Sequence, residues 1–174
     1  YGLVEKWHNA LDDCLTRVPL IARIPGGAAG HVVPEPVELF DIMPTTLSLT
    51  GIECQHTHFA RDLSSQLNGA SGDPNRTVFA EGGYDPHEPH CYEGKPGAIS
   101  GRPGHIYYPK GKLQQDRPDA SVRTVMVRTA THKLIYRPQG GSELYDLQTD
   151  PAELRNRWGD PDLQDVQSTL QQQL

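Results

Sequence analysis

The chain begins without Met, on "YGLVEK", and a lysine stands at position 6. A lysine ammonium is a compact point charge with three donors. Taken alone in a loop it reads as a solvated surface charge. His8, two residues on, could donate a hydrogen bond or titrate near neutral pH. Glu5, Asp12 and Asp13 read as surface charges or as supports for their neighbours. Two histidine clusters follow, "HTH" at 56–58 and "HEPHC" at 87–91. Zinc accepts His and Cys, but a structural site wants four ligands from two paired motifs. Here the pairs are irregular, and Pro89 separates His87 from His90, so both clusters read as polar loops. Cys14, Cys54 and Cys91 are widely spaced, with no CxxC pair. An odd, scattered set is not a disulfide framework and predicts buried or idle thiols.

These residues need a scaffold, and the composition describes a loop-rich one. The 174 residues are 36% hydrophobic and 7% aromatic, with 17 glycines and 15 prolines. That length suits one domain or slightly more. The net charge of −6, with no basic run, argues against general nucleic-acid binding, which needs a basic face. No apolar run approaches the roughly 20 residues of a membrane span.

"VPLIARIP" (18–25) reads as a strand buried on both faces. "ELFDIMPTTLSLTG" (38–51) reads as a helix. Asp41 is placed to cap its first turn, Pro44 sits within that turn, and Gly51 suits a left-handed stop. Phe40, Met43, Leu47 and Ile52 would form its buried stripe. "LNGASGDPNR" (67–76) reads as a polar linker, which divides the chain into 1–75 and 76–174. "TVFAEGGY" (77–84) is a second strand. Residues 85–120, with six prolines and five glycines, read as a long loop, and such loops tend to be functional or disordered. "VRTVMVRT" and "KLIYRP" predict an antiparallel hairpin over 122–138, and "SELYDL" (142–147) a further strand. Alternation would put Arg128, Lys133 and Arg137 on the solvated face, with Tyr145 and Leu147 on the buried one or the reverse. In "TDPAELRN", Asp150 and Pro151 predict a helical turn with Glu153 in a capping box. In the tail, Asp160 and Pro161 precede Leu163, Val166, Leu170 and Leu174, the spacing of an amphipathic helix.

Four of these segments, in order, resemble the sulfatase family, whose fold is that of alkaline phosphatase. They are "YGLVEKWHNALDDCLTRVPLIARIPGG", "VELFDIMPTTLSLTGI", "TVFAEGGY" and "VRTATHKLIYRPQGGSELYDLQTDPAELRN". The string "ELYDLQTDPAE" is the most specific piece. The resemblance covers nearly the whole chain except 85–120. It implies an α/β fold, the C-terminal part of an alkaline-phosphatase-like sulfatase. Residues 1–75 would close the large α/β catalytic domain, and 76–174 would form a small antiparallel sheet packed on a C-terminal helix.

The family's nucleophile motif, Cys or Ser, x, Pro, x, Arg, is absent, since the cysteines read "CLTR", "CQHT" and "CYEG". The family's paired-Asp metal site and its Asp-His-Gly segment are absent too. The resemblance therefore implies a C-terminal portion that begins just after the last metal ligands. The formylglycine residue and the ligands for Ca²⁺ or Mg²⁺ would lie in the N-terminal part of the same protein.

In the family, the lysine matched by Lys6 contacts the sulfate and its bridging oxygen. A fixed ammonium where negative charge develops lowers the barrier. Loops of the C-terminal subdomain line the substrate entrance, so Tyr84, His87, His90, Arg102 and His105, with His8, become candidates for contact with a sulfated small molecule or glycan. The chain alone would be inactive. Two alternatives remain: a phosphonate or phosphate ester hydrolase of the same superfamily, and a non-catalytic glycan-binding or interaction module. The acidic charge weighs against the last.

Overall fold

The computed structural model describes residues 7, 9–85 and 102–174. The chain divides into two compact units. One comprises Tyr1–Arg17, Ala80–Val127 and Thr131–Leu174, and the other Val18–Phe79 and Arg128–Ala130. The stretch before Val18 thus groups with the C-terminal half of the sequence.

In the second unit, 18–25 is not a strand. It carries no ladder hydrogen bonds, and Ile21 is 92% exposed. An apolar run becomes a strand only where a neighbouring strand pairs with it, and Pro19 and Pro25 remove two of its donors. The predicted helix is present as a 3-10 turn over Leu39–Asp41 followed by a helix over Ile42–Thr50. It ends as expected on Gly51, which is left-handed at φ 70°. The amide of Ile52 donates to the Leu47 carbonyl (2.9 Å), closing the last turn.

Its buried face follows the apolar stripe only in part, with Met43 and Leu47 half-buried. Phe40 and Ile52 are exposed, whereas Pro44 and Thr45 are buried. Asp41 does not cap the turn that follows. Its carboxylate reaches back to the Glu38 amide (2.8 Å) and across to the Arg61 amide (2.8 Å). Arg76, at the end of the predicted linker, is buried and ion-paired to Asp41 (2.7 Å) and Glu38 (3.0 Å). The linker's end is therefore an anchor. A four-residue helical turn, Ser64–Leu67, completes this unit.

The first unit holds most of a four-stranded sheet. We label its strands β1 (Val78–Gly82), β2 (Thr124–Arg128), β3 (His132–Tyr136) and β4 (Glu143–Asp146), and they lie in that order. β3 and β4 pair antiparallel, with Lys133 opposite Tyr145 and Leu134 opposite Leu144. Side chains alternate between faces. Val127, Leu134 and Leu144 face one way and pack on Leu170, with Leu163 and Val166 beside them. That side is covered by the C-terminal helix α5 (Gln164–Gln171), which Asp160 introduces by accepting the Asp162 amide. Leu174, the last position of the predicted stripe, lies beyond the helix and is 45% exposed. Met126, Ile135 and Tyr145 face the other way and pack on Leu11 of the N-terminal stretch.

Several elements were not foreseen, the turn at 64–67 among them. α1 is one turn, Asp13–Thr16, and α4 (Tyr108–Asp116) forms inside the Pro- and Gly-rich region, with Pro at its first turn. Between them in sequence, the helix at 42–50 is α2 and the turn at 64–67 is α3. Residues 150–153 form a turn without a helix, and Glu153 adopts φ 54°.

Candidate active site

Of the candidate residues, Lys6, His8, His87 and His90 lie outside the described residues. Tyr84 follows β1 and is held by its main chain. Its amide donates to Ser121 (2.7 Å), and its carbonyl accepts from Arg123 (3.0 Å). Gly83 allows this approach, because a Cβ there would stand 2.1 Å from the Val122 carbonyl oxygen. Arg102 and His105 share one turn, closed by the His105 amide on the Arg102 carbonyl (3.1 Å). Arg102 is exposed and His105 half-buried. The His105 ring lies 5.8 Å from that of Tyr107, and its Nδ1 accepts the Tyr107 amide (3.2 Å).

α4 begins at the next residue. Its Lys110 ammonium lies 5.6 Å from the ring centre of Trp7, a cation–π contact with the residue that follows Lys6 in sequence. The turn that holds two substrate-contact candidates is thus continuous with a helix resting on the neighbour of the candidate catalytic lysine. The sequence carried a signal for this helix in Pro109, placed for a first turn, and in Lys112 and Asp116, four apart and ion-paired at 2.9 Å.

The buried groups that sequence reasoning missed lie on the Leu11 face of the sheet. Lys133 is fully buried, contrary to the expectation of a solvated face. Its ammonium contacts Asp13 (2.9 Å) and Glu153 (2.8 Å). Glu153 also accepts the backbone amide of Asp13 (2.7 Å). Buried, and sharing one ammonium with Asp13, the Glu153 carboxyl is pushed above the usual range despite the help of Lys133 and the amide.

A second polar group lies alongside. Arg137 pairs with Glu143, and its guanidinium donates to the Asn9 carbonyl (3.2 Å). Glu143 accepts the Tyr145 hydroxyl (2.7 Å), and burial together with that carboxylate raises the phenol. Alternation along β3 was read correctly. What reverses Lys133 is the N-terminal stretch, which covers this face and brings a carboxylate to it.

Among the described residues no group of His, Cys, Asp and Glu could hold a metal ion. Cys14, which is exposed, and Cys54, which is half-buried, are free thiols, and partial desolvation followed by the charges of Asp12 and Glu153 pushes the Cys14 thiol up. His56 and Cys54 are 3.6 Å apart and exposed or half-exposed. A cleft of about 1060 Å³ opens in the second unit, lined by Leu20, Ile21, Ile24, Val32 and Leu67 among others. Of the described candidates, Tyr84, Arg102 and His105 do not line it. Among the described residues no helix is long and apolar enough to cross a membrane.

Residues 105–174 match the family described as N-sulphoglucosamine sulphohydrolase, C-terminal. No curated protein matches the chain. The phosphonate monoester hydrolase of Silicibacter pomeroyi is similar over 87% of this chain, at 27% identity and a TM-score of 0.62. That of Agrobacterium radiobacter is similar over 76%, at 20% identity and 0.53. A Bacteroides thetaiotaomicron protein assigned as a sulfatase is similar over 76%, at 22% identity and 0.52. The chain spans 26%, 23% and 22% of those three proteins. Residues 105–174 thus match a sulfatase C-terminal family model, and the chain shares the fold of alkaline-phosphatase-like sulfatases and phosphonate hydrolases over about a quarter of their length.

Proposed function

We propose that the intact protein hydrolyses sulfate esters, and that this chain contributes Lys6 to the pocket that binds the sulfate. The observation that carries the reading is the sulfatase match over 105–174, which contains the whole "ELYDLQTDPAE" string of 143–153. Cleaving a sulfate ester gathers negative charge on the leaving oxygen and on the non-bridging oxygens. A fixed ammonium at that point strengthens its attraction as the charge grows, which is the condition for lowering a barrier. Tyr84, Arg102 and His105, with His8, His87 and His90, would contact the alcohol or sugar that carries the sulfate.

Hydrolases of this kind use a formylglycine nucleophile and a Ca²⁺ or Mg²⁺ ion. The described residues hold no cluster fit for the ion, and no cysteine here opens the modification motif. Both groups would come from polypeptide outside this quarter of the relatives' length. The 174-residue chain by itself is therefore expected to turn over no aryl sulfate.

The 27% identity to a phosphonate monoester hydrolase favours a second reading, in which a phosphonate ester takes the sulfate's place. Steady-state turnover of matched aryl sulfate and aryl phosphonate monoesters by the intact protein separates them. Our reading expects the sulfate to have the higher kcat/KM. A clear preference for the phosphonate replaces it with the second, and turnover of neither sinks both.

A further inference from the structure

We propose that Asp13, Lys133 and Glu153 are positioning residues: their buried ion triad clasps residues 9–13 onto the sheet, and the work of Lys6, seven positions before Asp13 in sequence, depends on that clasp. This rests on the catalytic role of Lys6 proposed above. Three contacts converge on five residues of chain. Lys133 holds the Asp13 carboxylate, Glu153 holds the Asp13 amide, and Arg137 holds the Asn9 carbonyl. Leu11, between them, enters the apolar cluster with Met126, Ile135 and Tyr145.

The composition of the clasp does not suit a purely stabilising role. A buried ion pair contributes little net stability over an apolar replacement of the same volume, whereas in some proteins buried polar groups fix register instead. Apolar residues already occupy this face, and Lys133 stands among them with its side chain fully buried. Glu153 takes a left-handed backbone at φ 54°, which a non-glycine residue adopts at a cost, and its side chain there reaches both Lys133 and the Asp13 amide. Charge, hydrogen bonding and backbone conformation all converge on Asp13, whose contacts lie 140 and 120 residues away in sequence. Lys6 lies seven positions before Asp13, and Trp7, next to it, rests on Lys110.

The clasp is tested with Asp13→Ala, which leaves Lys133 and Glu153 as a balanced pair and so spares the sheet an uncompensated charge. Amide hydrogen exchange on the chain is expected to quicken roughly tenfold at residues 10–17, and less than about twofold in β2, β3 and β4. Asp13→Asn, which keeps an acceptor for Lys133, is expected to recover part of the protection. Unchanged exchange at 10–17, or an equal rise in the strands, overturns the clasp.

In the intact protein Asp13→Ala is expected to lower kcat/KM roughly tenfold, and to add nothing when Lys6 is already Ala. A full additive loss in the double variant shows that the triad does not act through Lys6 and overturns the proposal. If Lys6→Ala alone leaves turnover unchanged, the catalytic reading fails, and the exchange data still decide the clasp.

Discussion

At the residue scale, the buried Lys133 governs what its two acids can tolerate. Removing it leaves Asp13 and Glu153 as carboxylates without a counter-charge, which costs on the order of 3–5 kcal/mol. Replacing Glu153 by Gln leaves Lys133 and Asp13 balanced. We therefore expect Lys133→Met to lower unfolding free energy by about that amount in urea titrations at pH 7, and Glu153→Gln by less than about 1 kcal/mol. Equal losses would contradict the shared-ammonium account.

The direction of the Glu153 shift sets its pH dependence. Its folded value is raised by burial, so its contribution is full below the unfolded value of about 4.3 and is lost as pH climbs through the folded value. Glu153→Gln should remove that decline. On the proposed reading, in which Arg102 and His105 contact substrate, Ala at either position is expected to raise KM for a natural sulfated substrate while leaving kcat within about twofold. A fall in kcat with KM unchanged would move these residues out of a binding role.

At the element scale, the two anchors respond to acid in opposite senses. Burial alone would raise Asp41, but the Arg76 guanidinium and the amides of Arg61 and Glu38 outweigh it and hold the carboxyl below the usual range. Its contribution is present above an unfolded value of about 3.9 and drains away as pH falls through the folded one. Exchange at α2 should therefore quicken on acidification below about pH 4, and Asp41→Asn should abolish that sensitivity. A pH-independent α2 would count against the Asp41–Arg76 anchor. For the sheet, Leu170→Ala is expected to cost about 2–5 kcal/mol, because the C-terminal helix closes one face through that side chain.

Much of this scale was legible in the sequence. β1 to β4, the Gly51 stop and the C-terminal helix follow from alternation, turn residues and three-to-four spacing. What was not legible depended on partners distant in sequence. The strand expected at 18–25 needed a neighbour to pair with, and Lys133 changed from surface to core because residues 9–13 fold over it. Glu153 fits a capping box by spacing, yet its contacts are set by Lys133 and Asp13.

At the scale of the whole molecule, the unit of 18–79 and 128–130 leaves apolar surface uncovered: Ile21, Val32, Phe40 and Phe59 are 92%, 80%, 72% and 98% exposed. Where such exposed apolar side chains adjoin one another, they mark a surface that meets another polypeptide. The chain by itself is expected to associate as its concentration rises in size-exclusion runs. A compact monomer throughout would favour a self-sufficient interaction module.

The central claim is that a lysine near the start of this chain serves sulfate-ester cleavage in the intact protein. It is tested most directly by kcat/KM for an aryl sulfate in the wild type and in Lys6→Ala of that protein. The account predicts a fall of roughly a hundredfold or more in the variant, and turnover within about twofold of the wild type would contradict it.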